Sequence, residues 1–226
     1  MNFKINEHSI IVSDTHFGHF NIKKYEPIRL ERSKNSGYSD NIDGYYTDLW
    51  NKKVSEEDTV FHLGDLYFQG RFSSYKIEDL NSLNGRKILL VGNHDRPKYY
   101  NKLDSNWTIL DKVIIDIEDF SQNDYIALMN KINSKHKLTQ KEKRLQVCYV
   151  KIISGKKIFF SHFPLFNNNE FDNKYKNIVY SLEDIYNILE CEVNIHGHIH
   201  SHLSNFKDSI NVCLEHNEFN RIHDLF

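Results

Sequence analysis

Cysteine is scarce in this 226-residue chain, and Cys148, Cys191 and Cys213 are odd in number, widely spaced and outside any paired metal-binding motif. That pattern excludes a disulfide framework and a zinc ribbon, and leaves three small side chains expected to be buried. Net charge is almost absent too. Against 29 basic residues stand 31 acidic ones, a formal charge of -2, so the whole-molecule field neither recruits nor repels nucleic acid, and any affinity for phosphate must be local. No apolar run approaches the ~20 residues that span a bilayer, and Met1 to His8 lacks the apolar core of a signal peptide, so a cytoplasmic location without membrane association is expected. There is no internal repeat, P-loop or dinucleotide-type glycine-rich loop. At this length and 39% hydrophobic content the chain suits one well-buried core, and a single domain over residues 1–226 is expected.

Histidine, by contrast, is plentiful: thirteen residues, clustered after short apolar runs. Ser9-Ile10-Ile11-Val12 precedes Asp14-Thr15-His16, Thr59-Val60-Phe61 precedes Gly64-Asp65, and Lys87 to Val91 precedes Gly92-Asn93-His94-Asp95. Lys157 to Phe160 leads into Ser161-His162, and Glu192 to Ile195 into His196-Gly197-His198-Ile199-His200. A short apolar run bounded by Gly, Asn or Asp reads as a buried strand, and in α/β sheets ligands gather outside the carboxyl ends of strands. Five such ends would converge on one polar site.

Between these strands, Asp40–Val54 has helical spacing (Ile42, Tyr45, Tyr46, Leu49, Trp50) and predicts a crossover helix, and Ser73–Leu83 predicts a second, stopped by Asn84-Gly85. The alternation implies α/β. Residues 118–146 are charged and helix-like, with Ile126, Leu128, Met129 and Ile132 as main apolar positions, and read as an insertion or cap whose basic residues form a solvated face or, as the alternative, line an anionic substrate's approach. Residues 147–160 predict a hairpin, Ser181 to Glu190 a helix with Ser181 as N-cap, and Val193–Ile195 with Ile210–Leu214 a last strand pair.

The strand-end residues Asp14, His16, Asp65, Asn93, His162, His198 and His200 offer carboxylates, imidazoles and one amide oxygen. That set suits Mn²⁺, Fe²⁺ or Zn²⁺, and the lack of thiolates argues against a purely structural zinc site. Seven donors are too many for one ion. Two ions ~3.5–4 Å apart, sharing a carboxylate, would use them and leave open positions for hydrolysis. Asp-x-His and His-x-His each put two side chains on one side of an extended segment. His94, left over beside Asn93, has the features of a general acid. His19, Arg71 and Arg96, just past the motifs, could hold substrate phosphate. His62, His196 and His202 alternate away from the ligands and read as supporting or packing residues.

The ordered set Asp-x-His, Gly-Asp, Gly-Asn-His-Asp, His and Gly-His-x-His resembles the signature of the calcineurin-like metallophosphoesterase superfamily, from Asp14 to His200, most closely its small single-domain prokaryotic and phage members. The resemblance implies an α/β fold of two mixed β-sheets packed as a sandwich and flanked by helices. It implies two divalent ions, Mn²⁺ foremost, with Fe, Zn or Ni as alternatives. Asp14, His16 and His200 would hold the first, Asn93, His162 and His198 the second, and Asp65 would bridge them. His94 would protonate the leaving oxygen, oriented by Asp95, after in-line attack of a metal-bridging hydroxide on phosphorus. The second aspartate that some members carry soon after Gly-Asp is absent, since Leu66-Tyr67-Phe68-Gln69 follow. The expected function is phosphomonoester or phosphodiester hydrolysis on a small phosphorylated molecule or nucleotide. A nuclease, a protein phosphatase and a catalytically inactive binding scaffold are the alternatives, and the near-neutral charge disfavours the nuclease.

Overall fold

The computed structural model describes residues 3–70, 74–167 and 170–226. In chain order the elements are β1 (Ile10–Val12), α1 (Ile22–Tyr25), α2 (Pro27–Asn35), α3 (Ile42–Lys53), β2 (Thr59–His62), β3 (Arg86–Leu90), α4 (Pro97–Tyr100), β4 (Trp107–Leu110) and β5 (Val113–Asp116). There follow α5 (Gln122–Lys135), α6 (Gln140–Lys143), β6 (Cys148–Ile153), β7 (Lys156–Ser161), α7 (Lys176–Ile188), β8 (Val193–His196) and β9 (Ser209–Asn211). One sheet has the order β1-β2-β3-β4 and the other β5-β6-β7-β8-β9. The first is parallel throughout, and the second carries one antiparallel pair, the β6–β7 hairpin.

Side chains alternate across each strand with period two, so each sheet buries both faces. Ile11, Phe61, Ile88 and Leu90 face Tyr149, Ile158, Phe160 and Ile195 in the space between the sheets. On the far side of the first sheet, Ile10, Val12, Val60 and Leu89 pack on Ile42, Tyr46 and Trp50 of α3. On the far side of the second, Cys148, Val150 and Phe159 pack on Leu128 and Ile132 of α5 and on Ile178, Leu182 and Ile185 of α7. The result is a sandwich of two sheets flanked by helices, as the motif order implies. The three cysteines are buried and free. Beyond β1 the sheets are stitched together, Ser13 N–H donating to Val212 O at 2.9 Å and Leu214 N–H to Ser13 O at 3.1 Å. No helix among the described residues is long and apolar enough to cross a membrane.

Several local expectations change. Ser181 is no N-cap: α7 begins at Lys176, and Ser181 is buried within it, its hydroxyl donating to Ile178 O at 2.7 Å. The apolar face starts at Ile178 and Val179 and carries the helix further back. The predicted helix over 73–83 is a 3₁₀ segment, Ile77–Ser82, while Ser73 lies outside the described residues. Asp79 accepts from Lys76 N–H at 2.7 Å and the Ser82 hydroxyl donates to Asp79 O, local bonds that compete with a regular helix. The 118–146 segment forms α5 and α6. Leu128 and Ile132 face inward on the outer side of the second sheet, whereas Ile126 is exposed.

Candidate metal centre

The turns that follow the strands point their side chains to one place by leaving the ordinary backbone range. Asp14 (φ 57°), His16 (49°), Asp65 (55°), His198 (72°) and His200 (50°) all lie in the left-handed region. For a residue with a Cβ this costs roughly 1–3 kcal/mol each and persists only where the surroundings impose it. Two glycines let the turns close on the carboxylates. A Cβ on Gly92 would stand 2.4 Å from Asp65 Oδ1, and one on Gly197 would stand 2.3 Å from Asp14 Oδ2.

All seven donors named from the sequence come together. His16 Nε2 lies 3.7 Å from Asp14 Oδ1 and 3.6 Å from Asp65 Oδ2, and His200 Nε2 lies 3.8 Å from Asp14 Oδ1. His162 Nε2 is 3.5 Å from Asp65 Oδ2, 2.9 Å from Asn93 Oδ1 and 3.2 Å from His198 Nδ1. Asp14, His16 and His200 form one group able to hold an ion, and Asp14, Asp65 and His162 a second. The 3.5–3.8 Å gaps exceed a hydrogen bond but suit two donors each ~2.0–2.2 Å from a shared ion. Asp14 Oδ1 and His16 Nδ1 are buried with no hydrogen-bond partner. A buried carboxylate oxygen that lacks a donor and faces two imidazoles is well suited to a cation, so these residues fit divalent ions.

Electrostatics point the same way. Burial, with Asp14 and Asp95 nearby, pushes the Asp65 carboxyl well above its usual range. Burial would raise Asp14 as well, but His162, His16 and His200 hold it well below. Burial drives His16 down to about 3, a neutral ring with a lone pair to offer.

Asp95 is held by backbone donors. Its carboxylate accepts from Asp65 N–H (2.8 Å), Gly92 N–H (2.8 Å) and Leu66 N–H (3.0 Å). It therefore pins the loop after β3 to the turn after β2 and positions His94 through the backbone, not by gripping its ring. His94 N–H donates to Asp65 Oδ1 at 2.7 Å, and its exposed ring lies 5.5 Å from that of His16. His19 also lies beside His16, ring centres 5.7 Å apart, packed on Phe68. Arg96 is exposed and lines a small cleft with His94 and Phe68. Arg71 lies outside the described residues.

Two residues that the sequence reading passed over hold the centre from behind. Arg29 is fully buried, donating to Asp14 O (2.6 Å), Thr15 O (2.8 Å) and Glu215 Oε1 (2.6 Å). Glu215 in turn faces His200 Nδ1 at 3.3 Å. Glu215 directly follows the predicted strand Ile210–Leu214, a weaker form of the strand-end signal that marked the ligands because Asn211 interrupts its apolar run.

His62 supports the turn after β2. Gly64 N–H donates to its Nδ1 at 3.2 Å, so the proton sits on Nε2, 3.0 Å from the Thr15 hydroxyl. Burial lowers its pKa from 6.5 to about 3. The unfolded chain thus binds a proton below pH 6.5 that the folded chain refuses until about pH 3. Stability is full above pH 6.5 and lost as pH falls, by about 2 kcal/mol at pH 5. Urea unfolding of metal-free protein at pH 7.5 and pH 5 should show this loss reduced in His62→Gln. An equal pH response in both proteins would remove His62 as its source.

The sequence model of calcineurin-like phosphoesterases matches residues 8–202, and the chain belongs to that family. An uncharacterized protein of Methanocaldococcus jannaschii is 35% identical over 88 residues, 38% of this chain and 46% of that protein. The chain thus matches less than half the length of that relative. A solved protein of unknown function from Aquifex aeolicus aligns over 93% of this chain and 91% of its own, at TM-score 0.61 and 22% identity, a likeness of fold. A solved archaeal phosphodiesterase aligns more loosely, over 90% of this chain and 81% of its own, at TM-score 0.36 and 16% identity.

Proposed function

We propose that the chain is a dinuclear metal-dependent phosphoesterase acting on a small phosphorylated molecule or nucleotide. The observation that carries this reading is the position of Asp65 Oδ2, 3.6 Å from His16 Nε2 and 3.5 Å from His162 Nε2. One carboxylate oxygen stands between imidazoles of two different donor groups. In this reading Asp14, His16 and His200 hold one ion, Asn93, His162 and His198 hold the other, and Asp65 belongs to both. Bound ions, Mn²⁺ foremost, would supply Lewis-acid charge to the phosphoryl oxygens and acidify the attacking water.

The chain's own groups do the rest. Asp14 and Asp65, both buried, would supply the negative charge that such ions need. In this reading His94 would protonate the leaving oxygen. His19 and Arg96 at the rim would receive phosphoryl oxygens, arginine through its two-pronged donor geometry. Chelation should lower hydrolysis of nitrophenyl phosphate and bis(nitrophenyl) phosphate by roughly 10³-fold or more, several kcal/mol of barrier at 1.36 kcal/mol per decade. Added Mn²⁺ should restore it, and the ratio of the two substrates would separate monoester from diester preference. Full turnover by rigorously metal-free protein would overturn the reading.

A further inference from the structure

Behind His200 lies a second set of acids. Glu26, His200 and Glu215 are close enough together to hold an ion of their own. Arg29 speaks against that, because its guanidinium already sits 2.5–2.6 Å from Glu215 Oε1 with both side chains buried. A further cation there would meet a fixed positive charge. The same contacts suit another task. Paired with Arg29, Glu215 is a carboxylate and can only accept, so His200 Nδ1, 3.3 Å away, must carry the proton. That leaves the lone pair on Nε2, the nitrogen facing Asp14 Oδ1. Arg29 also donates to the carbonyl oxygens of Asp14 and Thr15, fixing the left-handed turn that aims Asp14 and His16.

We propose that the buried Arg29–Glu215 pair is the positioning device of one ion site only, the one formed by Asp14, His16 and His200. The ring and amide of the other site are oriented by other contacts: His162 Nδ1 is 2.9 Å from the backbone oxygen of Leu63, and Asn93 lies beside His162, while the sites are linked by His198 N–H, which donates to Asp14 Oδ2 at 2.8 Å. None of these contacts involves Glu215. The inference rests on the two-ion reading above, and Glu215 acts on a ligand without touching substrate. Carboxylates behind a metal-bound imidazole set its tautomer and ring orientation, and their loss costs about 10–100-fold in metal affinity.

Calorimetric titration of the metal-free protein with Mn²⁺, together with elemental metal counts, tests this without relying on turnover. The wild type should bind two Mn²⁺. Glu215→Gln should weaken one of them by about 10–100-fold and leave the other unchanged. Two unchanged affinities would overturn the proposal and leave the two-ion reading intact, and equal weakening of both would overturn the claim of a single site. Fewer than two ions on the wild type would overturn both. If Glu215→Gln fails to fold, Glu215→Asp keeps the charge beside Arg29 but shortens the reach to His200. It decides on the same comparison.

Discussion

Asp65→Asn should lower phosphoester hydrolysis by roughly 10³-fold while leaving the metal-free protein at least as stable as the wild type. The two halves of this expectation have one cause. Asp65 is almost fully buried, and burial, Asp14 and Asp95 all raise the cost of its negative charge. Without cations that charge opposes folding, whereas with them it is the shared counter-charge. Asparagine keeps the oxygen that accepts His94 N–H at 2.7 Å and removes only the charge. The wild type should therefore gain stability from Mn²⁺, about 2.7 kcal/mol at a hundredfold excess over Kd, and the variant should gain far less. Thermal unfolding with and without Mn²⁺, beside turnover, reads both halves. A variant that loses stability without metal yet keeps its Mn²⁺ response and its activity would show Asp65 to be a packing residue.

The centre was legible in the sequence because its donors are local to strands. A ligand-type residue at the end of a buried apolar run needs only period-two alternation and a turn signal to be placed, and Asp14, Asp65 and His162 all satisfy this. What escaped is non-local or weakly patterned. Arg29 sits 186 positions from Glu215 on a short helix rich in charge, where an arginine reads as solvated surface. Glu215 follows Val212-Cys213-Leu214 and precedes His216, but no glycine or second spaced ligand type accompanies it to make a motif. β4 and β5 escaped because both are edge strands of four residues, partly exposed, with no histidine or glycine at their ends to mark a turn into the site. The resemblance implies that Asp95 orients His94, but not by what contacts: three backbone N–H groups converge on its carboxylate. Backbone donors leave no trace in residue identity.

Arg29→Met should be strongly destabilising, costing about 3–5 kcal/mol, the usual penalty for leaving one partner of a buried ion pair alone. Methionine fills much of the volume but leaves the Glu215 carboxylate and the carbonyls of Asp14 and Thr15 without their donor. Arg29→Lys should recover little, since one ammonium cannot reach three acceptors that a planar guanidinium spans. Pairing Arg29→Met with Glu215→Leu removes both charges and should restore part of the loss. The pH dependence supplies a check that lost packing alone would not imitate. Burial would raise Glu215, but Arg29 and His200 hold it from 4.5 down to about 2. In the wild type that contribution is present above pH 4.5 and is lost as pH falls toward 2. In Arg29→Met burial prevails, Glu215 takes up a proton on folding, and lowering the pH relieves the variant. The stability gap should therefore be widest near neutral pH and narrow as pH falls. A gap of constant size in urea unfolding across that range would mean that Arg29 acts by volume and not by charge.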